Sequence, residues 1–235
     1  MRGGTQRPGM RWRPTPRQAA IILLLWLATL AGVTDTMAQN GGMGRGAPPG
    51  QFDFYVLALS WSPGFCALGG AAKDREQCSS HLGFVVHGLW PQYRQGYPSD
   101  CAGVATQPSR MALSAAAGLY PDMGLARYEW RKHGTCSGLS PTDYFAAVRK
   151  ARDAVVIPPA IASMTQDATW TPIDLERAFV AANPGLRTDM MSVSCRKGVL
   201  SEILICFTKD LRGFQSCPEL DRRGCRGGSV KLPAP

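Results

Sequence analysis

The stretch "FDFYVLALSW", residues 52–61, is an apolar run rich in residues that favour β-structure, and it predicts a buried strand followed by a turn at "SPG". The stretch "LGFVVHGLWP", residues 82–91, has the same character and predicts a second strand that ends at Gly88 and Pro91. Between them, "KDREQCSSH" is charged and polar and predicts a loop. The folded part of the chain therefore begins with strands.

The middle of the chain is helical in character, and the pattern then returns to alternation. Ser140-Pro141 and Thr171-Pro172 are typical of helix starts, in which a capping residue precedes a proline. In "DMMSVSCRKGVLSEILICFTKD", residues 189–210, Lys197-Gly198 separates two alternating runs and predicts a hairpin. This order predicts an α+β fold, a mainly antiparallel sheet with several helices packed on it and stapled by disulfides. The predicted helical segments are 109–120, 125–136, 140–156 and 171–185.

The N-terminal region is predicted to be a targeting segment. Residues 1–20 hold five arginines and no acidic residue, a short apolar run follows, and small residues precede a plausible cleavage point after Ala38. A membrane anchor is the alternative, but the apolar run has about 14 residues, whereas a bilayer span needs roughly 20. We predict a signal peptide at 1–38, a periplasmic or secreted protein, and no stable membrane association after cleavage.

The rest of the chain divides simply. The stretch 39–50 is rich in Gly and Pro and predicts a flexible leader, residues 51–228 predict one domain, and 229–235 predict a tail.

Removal of residues 1–38 leaves 21 basic and 16 acidic residues, a net charge of +5. That excess is too small for a protein that coats nucleic acid, although it favours an anionic substrate in a suitable cleft.

Eight cysteines follow the predicted signal peptide, and an even number in an exported chain indicates four disulfides. Zinc binding is the alternative use of cysteine. No two cysteines have C-x-x-C spacing, and the three histidines, His81, His87 and His133, are spread along the chain. We predict no metal and no cofactor.

The stretch "EWRKHGTC", residues 129–136, places Glu129, Lys132 and His133 on one face of a predicted helix. Two interpretations are open. The first is a solvated face with an ordinary Glu–Lys pair, and the second is an acid–base cluster. His87 leaves a predicted strand into a glycine, and on its own it would be interpreted as structural. Two imidazoles, a lysine and a carboxylate are together the groups needed for general acid–base phosphoryl transfer without a metal.

The stretches "FVVHGLWPQY" (84–93) and "EWRKHGTC", in this order and about 40 residues apart, resemble the two active-site segments of the ribonuclease T2 family of secreted, base-nonspecific ribonucleases. "DFYVLALSWSPGFC" also resembles the first strand of that family, and the resemblance covers roughly residues 51–226, closest to the bacterial branch. It implies an α+β domain that cleaves single-stranded RNA through a 2′,3′-cyclic phosphate, with the 2′-hydroxyl as nucleophile, so that DNA is not cleaved.

The resemblance assigns roles to individual residues. His87 matches the general acid that protonates the 5′-oxygen, and His133 matches the general base that acts on the 2′-hydroxyl. Glu129 and Lys132 match the pair that stabilises the phosphorane. With these four matches, we interpret residues 129–136 as a catalytic helix and not as a solvated face.

A non-catalytic descendant that binds RNA or another polyanion is the alternative function, but a pure binder would have no reason to keep both imidazoles.

Substrate contacts follow from the same comparison. Trp90 matches an aromatic residue that frames a base, and Tyr128 stands where many relatives have a phosphate-binding histidine, so we assign both to substrate binding. With Tyr128 in place of that histidine, we expect the step that forms the cyclic phosphate to be retained. The efficiency of the second step, hydrolysis of the cyclic phosphate, is what the replacement affects. Tyr93 could stack on unpaired bases, whereas Tyr97 is expected to pack beneath the loop. We expect a monomer.

The disulfide pairing is also implied by the family pattern, since the C-terminal four cysteines alone allow three pairings. The implied pairs are Cys66–Cys78, Cys101–Cys136, Cys195–Cys225 and Cys206–Cys217.

Overall fold

The computed structural model describes residues 44–235 of the chain. The predicted signal peptide at 1–38 and the first part of the predicted leader, 39–43, lie outside the described residues. Within the described range, no helix is long and apolar enough to cross a membrane.

The strands in the described part of the chain are β1 (Gly44–Arg45), β2 (Phe54–Trp61), β3 (Phe84–Gln92), β4 (Pro98–Ser99), β5 (Ala168–Trp170), β6 (Met191–Arg196), β7 (Val199–Thr208) and β8 (Val230–Leu232). The main sheet has the strand order β3-β2-β7-β8-β5, with β6 paired to β7. All its pairings are antiparallel except a short parallel contact between β7 and β8. A separate pair, β1 and β4, is parallel. The α+β prediction is confirmed.

The helices begin where the sequence provides caps. The side chains of Ser140 and Thr171 each accept a hydrogen bond from the backbone N–H three residues on, which satisfies a donor that the first turn leaves free. The helices are α1 (Ser62–Ala67), α2 (Arg75–Ser79), α3 (Arg110–Ala115), α4 (Met123–Lys132), α5 (Pro141–Asp153), α6 (Pro159–Ala162), α7 (Pro172–Ala182) and α8 (Pro218–Arg223).

Two short helices occupy segments that the sequence predicted to be irregular. The predicted turn at "SPG" is the start of α1, because Pro63 is pre-organised for the first turn of a helix. The predicted loop at 73–81 contains α2, which begins after Asp74, whose carboxylate accepts from the Gln77 N–H.

Both ends of the described chain differ from the prediction. Residues 44–50, assigned to a flexible leader, are bound to the domain, because the Gly44 N–H donates to Tyr97 O and the Gly50 N–H donates to Cys136 O. The predicted tail at 229–235 contains β8, because Val230 and Leu232 alternate with Lys231 and bury their side chains in the core. The domain therefore extends beyond both predicted limits.

The strand β2 is central because it is apolar on both faces. Leu57, Leu59 and Trp61 pack against the helices in the main core, whereas Val56 and Ala58 belong to a smaller cluster on the opposite face. Burial of each large side chain contributes roughly 1.5–3 kcal/mol of transfer free energy. The continuous apolar run thus specifies a strand with neighbours on both edges and packing on both faces.

The eight cysteines form four disulfides in the pairs that the family pattern implies, Cys66–Cys78, Cys101–Cys136, Cys195–Cys225 and Cys206–Cys217. The Cys101–Cys136 bond closes a segment of 35 residues between the loop after β4 and the end of α4. The Cys206–Cys217 bond closes a segment of only 11 residues between β7 and α8.

We expect the longer closure to contribute more stability, because it removes more conformational entropy from the unfolded chain. Replacement of Cys101 and Cys136 by Ala should lower the free energy of unfolding by about 4 kcal/mol, and replacement of Cys206 and Cys217 by about 3 kcal/mol. Urea unfolding followed by tryptophan fluorescence measures both. A larger loss from the Cys206–Cys217 pair would contradict the entropic explanation.

Candidate active site

An irregularity in β3 directs His87 into a cleft. In the pairing of β3 with β2, Gly88 lies opposite Ala58 and Val86 lies opposite Leu59, so His87 is an extra residue. Such a bulge changes the direction of a side chain relative to regular alternation. It allows Val86 to stay in the core while the His87 side chain, one third exposed, faces the cleft.

The helix α4 provides the opposite wall. It begins after Asp122, whose carboxylate accepts from the N–H groups of Gly124 and Leu125, and its last residue, Lys132, is followed by His133. The basic residues in its last turn complement the helix dipole. Beyond it, Cys136 forms the disulfide to Cys101, so the C-terminal end of the helix is fixed covalently.

The two walls enclose a cleft of about 280 Å³. Aromatic rings, imidazoles and charged groups meet there, and residues from β2, β3, α4, α8 and the loop before β4 contribute. The lining residues are Val56, His87, Trp90, Gln92, Tyr97, Tyr128, Glu129, Lys132, His133, Leu220 and Arg223.

Glu129 is the buried carboxyl group of the site, with 1% of its surface exposed. Its Oε2 accepts a hydrogen bond of 2.7 Å from the Trp90 indole, and its Oε1 lies 3.6 Å from His87 Nε2. Oε1 has no hydrogen-bond partner within the described part of the chain. A β-carbon at residue 88 would collide with the Glu129 carboxyl group and the Trp90 ring, so only Gly88 permits this approach.

His87 contacts a second carboxylate on its other side. Its Nδ1 lies 2.5 Å from Oε1 of Glu202 on β7, and the Ser60 hydroxyl on β2 donates to the same oxygen at 3.2 Å. Ser60 and Glu202 are paired across the two strands and lie on the same face of the sheet. His87 therefore lies between two carboxyl groups.

The two histidines have opposite electrostatic environments. Burial lowers the pKa of His87, but the hydrogen bond to Glu202 and the negative charges of Glu129 and Glu202 outweigh it, so the net pKa is raised. Burial, with the positive charges of Lys132 and His87, lowers the pKa of His133 to about 3. Near neutral pH, His133 is a neutral imidazole, and the environment of His87 favours its charged form.

The pKa values of Glu129 and Lys132 are also shifted by their surroundings. Burial raises the pKa of Glu129 to about 7, against the opposing effects of His87, the Trp90 hydrogen bond and Lys132. A hydrogen bond with Tyr128 raises the pKa of Lys132, whose Nζ lies 5.4 Å from the centre of the Tyr128 ring. Lys132 is thus a fixed positive charge, and Glu129 can change its protonation state near neutrality.

The arrangement supplies a proton acceptor, a proton donor and a positive charge around one cleft. The His133 ring lies beside the Trp90 ring, with centres 5.3 Å apart, and its buried Nδ1 has no hydrogen-bond partner in residues 44–235. The buried Glu129 Oε1 likewise has no hydrogen-bond partner among these residues, although it lies 3.6 Å from His87 Nε2. Such buried groups without partners are costly and are typical of sites where a ligand satisfies them.

The structure brings together the residues that the sequence singled out. His87, Glu129, Lys132 and His133 all line the cleft, as do Trp90 and Tyr128. Trp90 is also the hydrogen-bond donor to Glu129. Tyr97, expected to pack beneath the loop, lines the cleft with its ring centre 6.1 Å from that of His133. His81 is exposed on its loop, outside the cleft.

Several residues of the site were not identified from the sequence. Leu220 and Arg223 come from α8, which the Cys206–Cys217 bond attaches to β7. Glu202 was missed although a signal was present, since it is an acidic residue within the apolar run of a central strand.

The described residues contain no group of three or more His, Cys, Asp or Glu side chains that could hold a metal ion.

Comparison with known proteins agrees with this geometry. The model of the Ribonuclease T2 family matches residues 52–217. A ribonuclease of Aeromonas hydrophila is 39% identical over 174 residues, covering 72% of this chain and 78% of its own. Ribonuclease DdI of Dictyostelium discoideum is 28% identical over 235 residues, covering 92% and 97%.

The fold is similar to that of solved structures as well. An RNase-related protein from Calystegia sepium superimposes with a TM-score of 0.59 at 25% identity, over 77% of this chain and 97% of the other. The matched residues, 52–217, include both histidine segments and β2, and they make up most of the described domain. The chain belongs to the ribonuclease T2 family.

Proposed function

We propose that this protein is an exported endoribonuclease that cleaves single-stranded RNA with little base specificity. The observation that carries the proposal is the convergence of His87, Glu129, Lys132 and His133 on one cleft, with one imidazole neutral and the other favoured in its charged form. The relatives from Aeromonas and Dictyostelium are named ribonucleases, which supports RNA as the substrate.

The reaction is an internal transesterification. His133 accepts the proton of the ribose 2′-hydroxyl, whose oxygen attacks the adjacent phosphorus. The P–O5′ bond breaks, and His87 donates its Nε2 proton to the departing 5′-oxygen. The products are a 2′,3′-cyclic phosphate and a free 5′-hydroxyl, and the two histidines have exchanged protonation states. DNA lacks the 2′-hydroxyl and does not react.

Glu129 and Lys132 act on the charge that develops at phosphorus. Lys132 presents a positive charge to the phosphorane oxygens, and interactions of this kind are strong in a partly desolvated site. A carboxyl group with a pKa of about 7 is substantially protonated in weakly acidic solution, so Glu129 can donate a hydrogen bond from its unpartnered Oε1. No step requires a metal or a cofactor.

The disulfides and the N-terminal sequence also bear on the compartment in which the protein works. Four disulfides are consistent with an oxidising compartment, and residues 1–38 have the pattern of a signal peptide, so we place the protein in the periplasm or outside the cell. We expect a monomer with RNA as its partner. The intact pair of histidines favours an enzyme over a non-catalytic binder.

The direct test is cleavage of single-stranded RNA in excess EDTA, with the ends of the products identified. We expect cleavage at many sequences, 2′,3′-cyclic phosphate ends that accumulate because Tyr128 replaces a histidine, and no cleavage of the matching DNA. The variant His133→Ala is the control for a contaminating nuclease. Loss of activity in EDTA with recovery on addition of a divalent ion would contradict the mechanism, and wild-type RNA binding without cleavage would favour the binder.

The roles of the two histidines can be separated with two substrates. His87→Ala and His133→Ala should each lower cleavage of a dinucleotide by on the order of 10²–10⁴. On a nitrophenyl ester of a 3′-nucleotide, whose leaving group needs no proton, His87→Ala should recover most of its activity and His133→Ala should not. The opposite pattern would show that the roles are reversed.

The pH dependence follows from the pKa directions. His133 has to be neutral, so kcat/KM should fall on the acid side as pH approaches the pKa of about 3. On the alkaline side, it should fall as His87 loses its proton and as Glu129 ionises near pH 7. The profile should therefore be a bell with its maximum below neutrality. A maximum in the alkaline range, measured on a dinucleotide, would contradict these assignments.

A further inference from the structure

Glu202 contacts His87, the general acid of the proposed reaction, from outside the two histidine segments. It lies on β7, 115 residues from His87 in sequence, and its Oε1 is 2.5 Å from His87 Nδ1. Its side chain is one fifth exposed, and the Ser60 hydroxyl holds the same oxygen from the adjacent strand. A carboxylate on a central strand is costly unless it has such partners, and this one has two.

We propose that Glu202 is a positioning residue for the general acid. By accepting a hydrogen bond from Nδ1–H, it holds the His87 ring so that the Nε2–H points towards Glu129 and the reacting phosphate. After the proton has left Nε2, the same hydrogen bond keeps the neutral ring as the Nδ1–H tautomer. This inference rests on the function proposed above, and it adds a residue that neither histidine segment contains.

The geometry makes the orientation specific. His87 Nε2 lies 3.6 Å from Glu129 Oε1, within the cleft that also holds Lys132 and His133. Nδ1 instead faces Glu202, and the two residues together line a second cavity of about 290 Å³. One ring nitrogen is therefore committed to Glu202 and the other to the substrate side, the arrangement by which a carboxylate orients a catalytic imidazole.

Several charged groups face His87 and act on its protonation together. Glu202 and Glu129 favour the imidazolium, whereas Lys132 on α4 opposes it. Lys73 and Arg196 line the second cavity with His87 and Glu202. Glu202 is the carboxylate that forms a hydrogen bond to the ring. Loss of its charge should therefore leave His87 harder to protonate and held by a weaker hydrogen bond.

The experiment compares Glu202→Gln, which keeps the shape and removes the charge, with Glu202→Asp, which keeps the charge. Glu202→Gln should lower RNA cleavage by roughly 10–100-fold, within the contribution of a positioned acid. It should also move the alkaline limb of the pH profile to lower pH. Activity on the nitrophenyl ester should stay within about twofold, since that leaving group needs no proton. Glu202→Asp should restore the position of the alkaline limb.

A matched control and a direct measurement exclude a merely structural role. Glu76→Gln removes a charge from an exposed position on α2 and should leave activity and the pH profile unchanged. NMR titration of the His87 imidazole should show a lower pKa in Glu202→Gln than in the wild type. Equal losses on both substrates, or an alkaline limb and a His87 pKa that do not move, would overturn the proposal.

Failure of the proposal and failure of the proposed function give different results. If the wild-type protein does not cleave RNA, the proposed function is wrong, and the NMR titration still shows whether Glu202 controls His87. If the wild type is active but Glu202→Gln keeps its activity and its alkaline limb, only the role of Glu202 is wrong.

Discussion

The close approach of the Glu129 carboxyl group to the backbone at Gly88 is the contact on which the site depends. It brings α4 against β3 where the bulge has already turned His87 into the cleft. Any side chain at residue 88 would separate the two elements and move Glu129 away from both His87 and Trp90. The helix is held in this position by apolar packing of Trp130 and by the covalent bond at Cys136, so the polar contact does not have to fix it alone.

This contact also shifts the pKa values of Glu129 and His87. A carboxyl group with 1% exposure is expensive to ionise, so its pKa rises, and its nearness to His87 favours the imidazolium. At the end of the same helix, burial, together with the positive charges of Lys132 and His87, lowers the pKa of His133. Two identical side chains thus acquire opposite properties, as a reaction that needs both an acid and a base requires.

The periphery of the domain supports this arrangement with covalent and backbone contacts. The Cys101–Cys136 bond fixes the end of α4, and the Cys206–Cys217 bond fixes the start of α8, which completes the cleft with Leu220 and Arg223. Such cross-links suit a site whose buried polar groups lack partners, because those groups reduce stability until a ligand binds. Stability and reactivity are therefore supplied by different parts of the chain.

The sequence by itself determined the fold class, the central strand, the helix caps and the four residues of the two histidine segments, because apolar periodicity, capping chemistry and short motifs are local properties. It also placed Trp90 and Tyr128 near the cleft through resemblance to a family. It did not reveal Glu202, the bulge at His87 or the part played by residues 44–50 and by β8. These depend on strand pairing and register between distant segments, such as Ser60 and Glu202, which are 142 residues apart. No local pattern records such pairing, and only the tertiary structure decides it.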